Sequence, residues 1–378
     1  MKGRRDVFRM MAVLAVVSCA VAALAQEEAL VEQDPTVLRF VERAIAWHPD
    51  SSFRVVSDER RQTPSGSYRM VTVERDCASK ILSGQPTVLV DEVTGQAYLG
   101  SVGKLPFQET GTSTRALRPF VEGFLPEVLL RNMDMKARVS WDLPDGAVSG
   151  ALIPFSLIVD TGYGEYTQPC ALTSDGGLLV IAAGMPLEGD PVALRRKLFA
   201  ASDVVVWDHG GDADATIEIV EFSDLECPAC KAKWPIIKSV LTAHPGTVRH
   251  GMVSFPLTTI HPWAFRASSA SWCVAEQDPE QLLPFKELFY DLQREMEVTQ
   301  VTPTAVDFVA GQGLDEADFK ACYLRDSSLQ AVHAQLALGH RVGVMATPTY
   351  FVNGWMVQIP AEDWFPDFVN RLAAGKEP

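Results

Sequence analysis

Cys227 and Cys230, separated by Pro228 and Ala229, are the residues of this chain whose spacing most clearly carries chemistry. Before them, residues 216–222 alternate apolar and polar in the manner of a half-buried strand. After them, Trp234, Ile237 and Leu241 fall on one face of a helix. A thiol at such a helix start faces unsatisfied backbone amides and the positive end of the macrodipole. Both favour the thiolate, and in Cys-x-x-Cys settings the thiol pKa falls from about 8.5 to roughly 3.5–7.5. A nucleophilic sulfur with a second sulfur one turn away can form a mixed disulfide and then resolve it. The competing chemistry is a structural zinc site, which needs about four ligands. No second Cys or His pair stands at close spacing, so no metal is expected. No cofactor is expected either, because the electrons of thiol–disulfide exchange reside in the sulfurs.

The elements that must hold this pair follow in order. Residues 247–255 read as a strand, residues 262–340 as a mainly helical stretch, and residues 349–359 as two apolar runs joined by Asn353-Gly354. Asn-Gly between two β-favouring runs is a hairpin signal. A final helix is expected near 361–374. Strand, helix, strand, helical insertion, hairpin, helix is the order of an α/β thioredoxin-like fold with an inserted helical subdomain. This region is placed at residues 201–378, after a polar, glycine-rich junction at 208–212 that reads as a turn or short linker.

Residues 26–200 read as an α+β region built from two modules, 26–110 and 111–200. A helix near 35–47 precedes strand-like runs near 53–56, 68–74, 87–90 and 97–102; a helix near 114–131 precedes runs near 137–141, 154–159, 170–173 and 178–183. Arg54-Val55 recurs as Arg138-Val139, and Ser65-Gly66 as Ser149-Gly150. The pattern suggests a duplicated helix-plus-meander unit, cystatin-like or similar, by analogy alone. It offers no catalytic constellation, so binding, spacing or dimerisation is the expected role.

The residues around the cysteines resemble a known family. The segment from Phe222 to Cys230, Phe-Ser-Asp-Leu-Glu-Cys-Pro-Ala-Cys, looks like the active-site segment of DsbA-like thioredoxin-fold proteins. The segment from Ala346 to Gly354 resembles their second signature, a loop with a cis-proline followed by a hairpin. Phe255-Pro256-Leu257, His261-Pro262, Trp272-Cys273 and the run from Gly313 to Cys322 follow the family's inserted helices, and the match extends over about 203–375. The resemblance implies that Cys227 is the exposed attacking sulfur and Cys230 the resolving one. It implies that Thr347 and Pro348 sit beside them, with Thr347 offering backbone groups to an extended substrate. Glu221 stands where the fold can hold a buried acid that relays protons, or it is a solvated strand residue. The strongest oxidants of the family often carry a histidine between their cysteines, where this chain has Ala229. Residues 26–200 are only loosely reminiscent of the dimerisation module of DsbC and DsbG.

Other residues have two readings each. Cys273 and Cys322 are expected to form a structural disulfide; Cys77 and Cys170 carry no clear pairing. Glu226 is expected to be exposed and to oppose the neighbouring thiolate weakly. His261 is read as a helix-start or surface residue in preference to a proton carrier.

The first residues bear on location. Lys2, Arg4, Arg5 and Arg9 precede an apolar run that ends at Ala23-Leu24-Ala25, which reads as an export signal over 1–25. Lipoprotein cleavage at Cys19 is the weaker alternative, since the residues after it stay apolar. The chain carries a formal charge of −15, and its first 25 residues hold four bases against Asp6, so the remainder is near −18. Such a balance argues against nucleic acid and anionic membrane as partners. The expected protein is therefore a soluble, periplasmic or otherwise exported thiol:disulfide oxidoreductase. Its expected partners are exported proteins with cysteines and a membrane redox protein. The rival readings are a disulfide isomerase or reductase that dimerises through residues 26–200, and a chaperone-like protein whose sulfur pair is incidental.

Overall fold

The computed structural model describes residues 31–78, 82–105, 114–129, 136–141, 150–160, 165–210, 215–358 and 364–376. The expected export signal, with Cys19, lies outside the described residues. Among the described residues no helix is long and apolar enough to cross a membrane.

The first helix, α1 (Pro35–Ala44), starts where the Asp34 carboxylate accepts the N–H groups of Thr36 and Val37 and proline occupies the first turn. It ends at Ala44, short of the expected 47. Trp47 leaves it to dock elsewhere: its N–H donates to Met356 O at 2.7 Å, and its ring stacks on Phe368 with centroids 4.4 Å apart. Strands β1 (Ser52–Thr63), β2 (Gly66–Asp76), β3 (Thr87–Asp91) and β4 (Gln96–Leu99) form an antiparallel meander. Next come β5 (Ser101–Lys104) and α2 (Thr114–Leu129). A second antiparallel meander follows: β6 (Lys136–Trp141), β7 (Leu152–Asp160), β8 (Glu165–Thr173) and β9 (Leu178–Ile181). The short β10 (Met185–Pro186) completes the region.

Consecutive residues are buried in β3, β4 and β9, so each sheet buries both faces there. Val88 and Val90 face α1, while Leu89 faces the other sheet; Ile153 and Phe155 face α2, while Leu152 joins the inter-sheet core. The layers run helix, sheet, sheet, helix. The two sheets exchange their last strands. β5 pairs with β9 in the second sheet, and β10 pairs with β4 in the first. The single strand expected at 97–102 is thus two strands in different sheets, broken at Gly100. A Cβ on Gly100 would lie 2.2 Å from Ile181 O, and one on Gly184 would lie 2.9 Å from the Tyr98 ring, so both crossovers need glycine. β5, counted on the sequence with residues 26–110, belongs to the sheet of the second module.

Helix α3 (Pro191–Ala200) was not expected; Asp190 caps it and Pro191 opens it. It leads into β11 (Val206–His209), so Asp208 and His209, read as linker, lie in a strand. Asp208 is buried there because β11, at the edge of the third sheet, pairs with β13 and turns this side chain onto His250. That sheet, in the order β11-β13-β12-β14-β15, contains β12 (Ile217–Ser223), β13 (Val248–Ser254), β14 (Thr349–Val352) and β15 (Trp355–Val357). Only the β12–β13 pair is parallel. Between β12 and β13 runs α4 (Pro228–Ala243). Between β13 and β14 lie α5 (Ala264–Gln277), α6 (Leu282–Leu292), α7 (Val301–Gly311), α8 (Glu316–Tyr323) and α9 (Asp326–Val342). The hairpin turns at Asn353 and Gly354, with φ of 48° and 85°, the left-handed pair that Asn-Gly favours. The last helix is α10 (Phe365–Ala373). Both faces of the sheet are covered, with Ile217 and Ile219 packing with α4 and α10, and Val220 and Phe222 packing towards α9 and Phe199 of α3.

Cys273 of α5 and Cys322 of α8 are joined by a disulfide, 49 residues apart in sequence. Closing such a loop removes chain entropy worth about 4 kcal/mol from the unfolded state. Cys77 and Cys170 are buried and are not joined by a disulfide. Replacing both Cys273 and Cys322 by Ser should lower unfolding free energy by about 2–4 kcal/mol in urea titrations. Alkylation of Cys227 in the folded double variant should not change.

Candidate active site

β12 is central in its sheet, and its C-terminal end delivers the chain to the sulfur pair. Cys227 is the N-cap of α4, with extended φ of −74° and ψ of 117°, and Pro228 takes the first helical position. Asp224 builds the turn before it. Its carbonyl accepts Cys227 N–H at 3.0 Å, and its carboxylate accepts the N–H groups of Glu226 and Leu257 at 2.8 Å each. Cys227 is 5% exposed, just before exposed Pro228 and Ala229, while Cys230 is fully buried. The resemblance implied an exposed Cys227. It is recessed because the Thr347-Pro348 loop lies against it, with Cys227 Sγ 3.6 Å from Thr347 O. The Thr347-Pro348 bond is cis.

The two sulfurs have opposite acidities. The Cys230 thiol hydrogen-bonds to Cys227 and, against burial, holds its pKa at about 5, helped by Thr347 and by the N–H groups of Cys230 and Ala229. Burial pushes Cys230 well above the ordinary thiol range, and the Cys227 sulfur adds to this. One sulfur is thus a thiolate at neutral pH and the other a thiol. The depressed group is ionised above its own pKa and protonates as pH falls through it. Iodoacetamide alkylation of Cys227 should therefore fall away only with a midpoint near 5. A midpoint near the ordinary value of about 8.5 would contradict this arrangement.

Glu221, one of the two readings of which was a solvated residue, is wholly buried. Its Oε2 accepts from Lys286 Nζ at 2.6 Å and lies 3.1 Å from His250 Nε2. His250 Nδ1 lies 2.6 Å from Asp208 Oδ1. Asp208, His250, Lys286 and Asp224 were missed as site residues. A signal existed for two of them: His250 occupies a core position of an apolar strand, and Lys286 adjoins Phe285 on an apolar helix face. His261, read as a surface residue, is tied through Nδ1 to Asp224 Oδ2 at 2.7 Å, and that bond raises its pKa. Glu226 is half-buried, not exposed, because its carboxylate accepts Trp263 N–H at 2.7 Å. Burial raises its pKa, which reduces its opposition to the thiolate. Among the described residues no group of three or more His, Cys, Asp or Glu is arranged to hold a metal ion.

Residues 207–365 match the family model described as thioredoxin. The chain is 26% identical over 185 residues to disulfide bond formation protein D of Bacillus subtilis, covering 44% of this chain and 77% of that protein. It is 25% identical over 247 residues to the Na(+)/H(+) antiporter NhaA 3 of Salinispora tropica, covering 60% of this chain and 36% of the antiporter. The chain thus spans little more than a third of that relative's length. Among solved structures it is similar to the thiol-disulfide exchange protein alpha-DsbA2 from Wolbachia pipientis, with a TM-score of 0.40 and 19% identity over 49% of this chain and 98% of that one. The sulfur pair at the head of α4, the cis-proline loop against it and the helical insertion between β13 and β14 all lie within residues 207–365, the stretch that matches the thioredoxin family model.

Proposed function

We propose that the chain is an exported thiol:disulfide oxidoreductase that oxidises cysteines of other exported proteins. The observation that carries this reading is one ionised sulfur, Cys227, recessed at a helix start with a protonated partner, Cys230, behind it. In the oxidised pair, a substrate thiolate attacks Cys227, and the Cys227–Cys230 bond breaks to release the Cys230 sulfur, which takes a proton. A second substrate thiolate attacks the substrate sulfur of this mixed disulfide, forming the new disulfide and releasing Cys227 as a thiolate. The substrate loses two electrons and the pair gains them. A membrane redox protein that reoxidises the pair completes the cycle.

Direction follows from which form is stabilised. Holding Cys227 as a thiolate favours the reduced pair and makes its disulfide oxidising, as in strong oxidants of this class. Approach is along exposed Pro228 and Ala229, where the flanking loops present Ile260 at 67% and Met345 at 55% exposure. These apolar side chains suit an unfolded client, and Thr347 O is positioned to receive its backbone. Equilibration with glutathione tests the direction: a potential near about −120 mV fits an oxidant, and one near about −270 mV would make the protein a reductase.

A further inference from the structure

Beneath the sulfur pair, four ionisable side chains from four elements meet with no solvent exposure: Asp208 of β11, Glu221 of β12, His250 of β13 and Lys286 of α6. Both ring nitrogens of His250 face carboxylate oxygens, Nδ1 at 2.6 Å and Nε2 at 3.1 Å. A carboxylate only accepts, and a neutral imidazole donates from one nitrogen only. With both carboxylates ionised, both ring nitrogens must carry a proton, and the cluster then holds two cations and two anions that sum to zero. An uncompensated charge in such a place costs several kcal/mol, so the four groups hold one another's charge states.

We propose that Asp208 is a positioning residue of the exchange reaction: through His250 it fixes Glu221 as an anion, whose charge keeps the proton on the resolving sulfur Cys230. The groups facing the cluster are few. Glu221 receives Lys286 and His250, and its charge is felt by Cys230 of α4, Tyr290 of α6 and Tyr350 of β14. Trp234 of α4 packs 6.0 Å from the His250 ring and takes the Lys286 ammonium over its face at 3.8 Å. Glu221 Oε1 has no hydrogen-bond partner among the described residues, so the anion depends on Lys286 and His250 at Oε2. The acidities agree. Burial opposes both ions, yet Lys286 and His250 hold Glu221 at about 2, and Asp208 with Glu221 raises His250 to about 9. The Cys230 sulfur released during exchange takes up a proton, and the fixed Glu221 charge holds it there.

The inference rests on the exchange reaction proposed above, and the test separates the two. Reaction of the reduced full-length protein with 5,5′-dithiobis(2-nitrobenzoate) releases one thionitrobenzoate as Cys227 is modified and a second as Cys230 displaces it. Loss of the first phase in the wild-type chain counts against the reaction itself. Asp208→Asn should leave the first phase nearly unchanged. Its second phase should acquire an inflection between about pH 6 and 8, with about a tenfold change in rate across it, as His250 becomes an ordinary titrating histidine. A second phase parallel to wild type, or both phases altered by one factor, overturns the proposal. An independent readout uses the unmutated chain: one histidine ring should keep both nitrogens protonated at about pH 8, and that signal should vanish in His250→Gln. A neutral His250 ring at about pH 7 overturns the proposal even if Asp208→Asn does not fold.

Discussion

Cys230→Ser leaves Cys227 covalently joined to its substrate. The first attack needs only the Cys227 sulfur, but escape from the mixed disulfide without a second substrate thiol needs the sulfur one turn behind it. With oxygen at 230, adducts should accumulate and survive non-reducing electrophoresis, and multiple-turnover insulin reduction should drop to background. Serine is the better trap, because the Cys230 thiol is the first cause of the low Cys227 pKa. A hydroxyl keeps that donor. Cys230→Ala removes it and should raise the alkylation midpoint of Cys227 by about one unit, close to 1.4 kcal/mol. Cys227→Ala should abolish both adducts and turnover. Turnover that persists in Cys227→Ala would assign the activity to another part of the molecule.

Arg195→Met should cost about 3–5 kcal/mol of stability, the largest effect expected of any substitution outside the sulfur pair. The Arg195 side chain is fully buried in α3. Its guanidinium donates to Arg43 O, Ala44 O and Val342 O, and lies 5.2 Å over the Phe351 ring. Those carbonyls are the C-terminal ends of α1 and α9, where helices leave acceptors unpaired and their dipoles are negative. Burial lowers its pKa to about 9, so the cation persists at neutral pH. Methionine keeps the apolar stem and removes the donors, so three carbonyls lose a partner in a dry place. Urea unfolding should shift accordingly, and calorimetry should resolve two transitions where wild type has one, because this side chain ties residues 26–200 to the thioredoxin domain. A loss below about 0.5 kcal/mol would mean that water replaces the guanidinium freely.

The sulfur pair, the hairpin and the order of elements after residue 201 were legible because each is a local signal. Asn353-Gly354 dictates its turn, and Pro228 opens its helix within one turn of Cys227. What was not legible depends on partners distant in sequence. Asp208 looks like linker because polar, glycine-flanked residues usually are; only pairing of β11 with β13 buries it. Glu221 had two readings until His250 and Lys286, 29 and 65 residues away, proved to face it. The helix and strand sequence of each N-terminal module was readable from alternation. The break at Gly100 was not, since Ile181, whose carbonyl leaves no room for a side chain there, is remote in the chain.

The reciprocal placement of β5 and β10 constrains how the molecule is made. As the polypeptide leaves the ribosome, the meander ending at Leu99 has an open edge at β4 until Met185 and Pro186 arrive. A nascent chain stopped between them would present a bare row of amides and carbonyls, the kind of edge that recruits other strands. Chains cut near residue 110 should aggregate, and the smallest autonomous piece of the N-terminal half extends through β10.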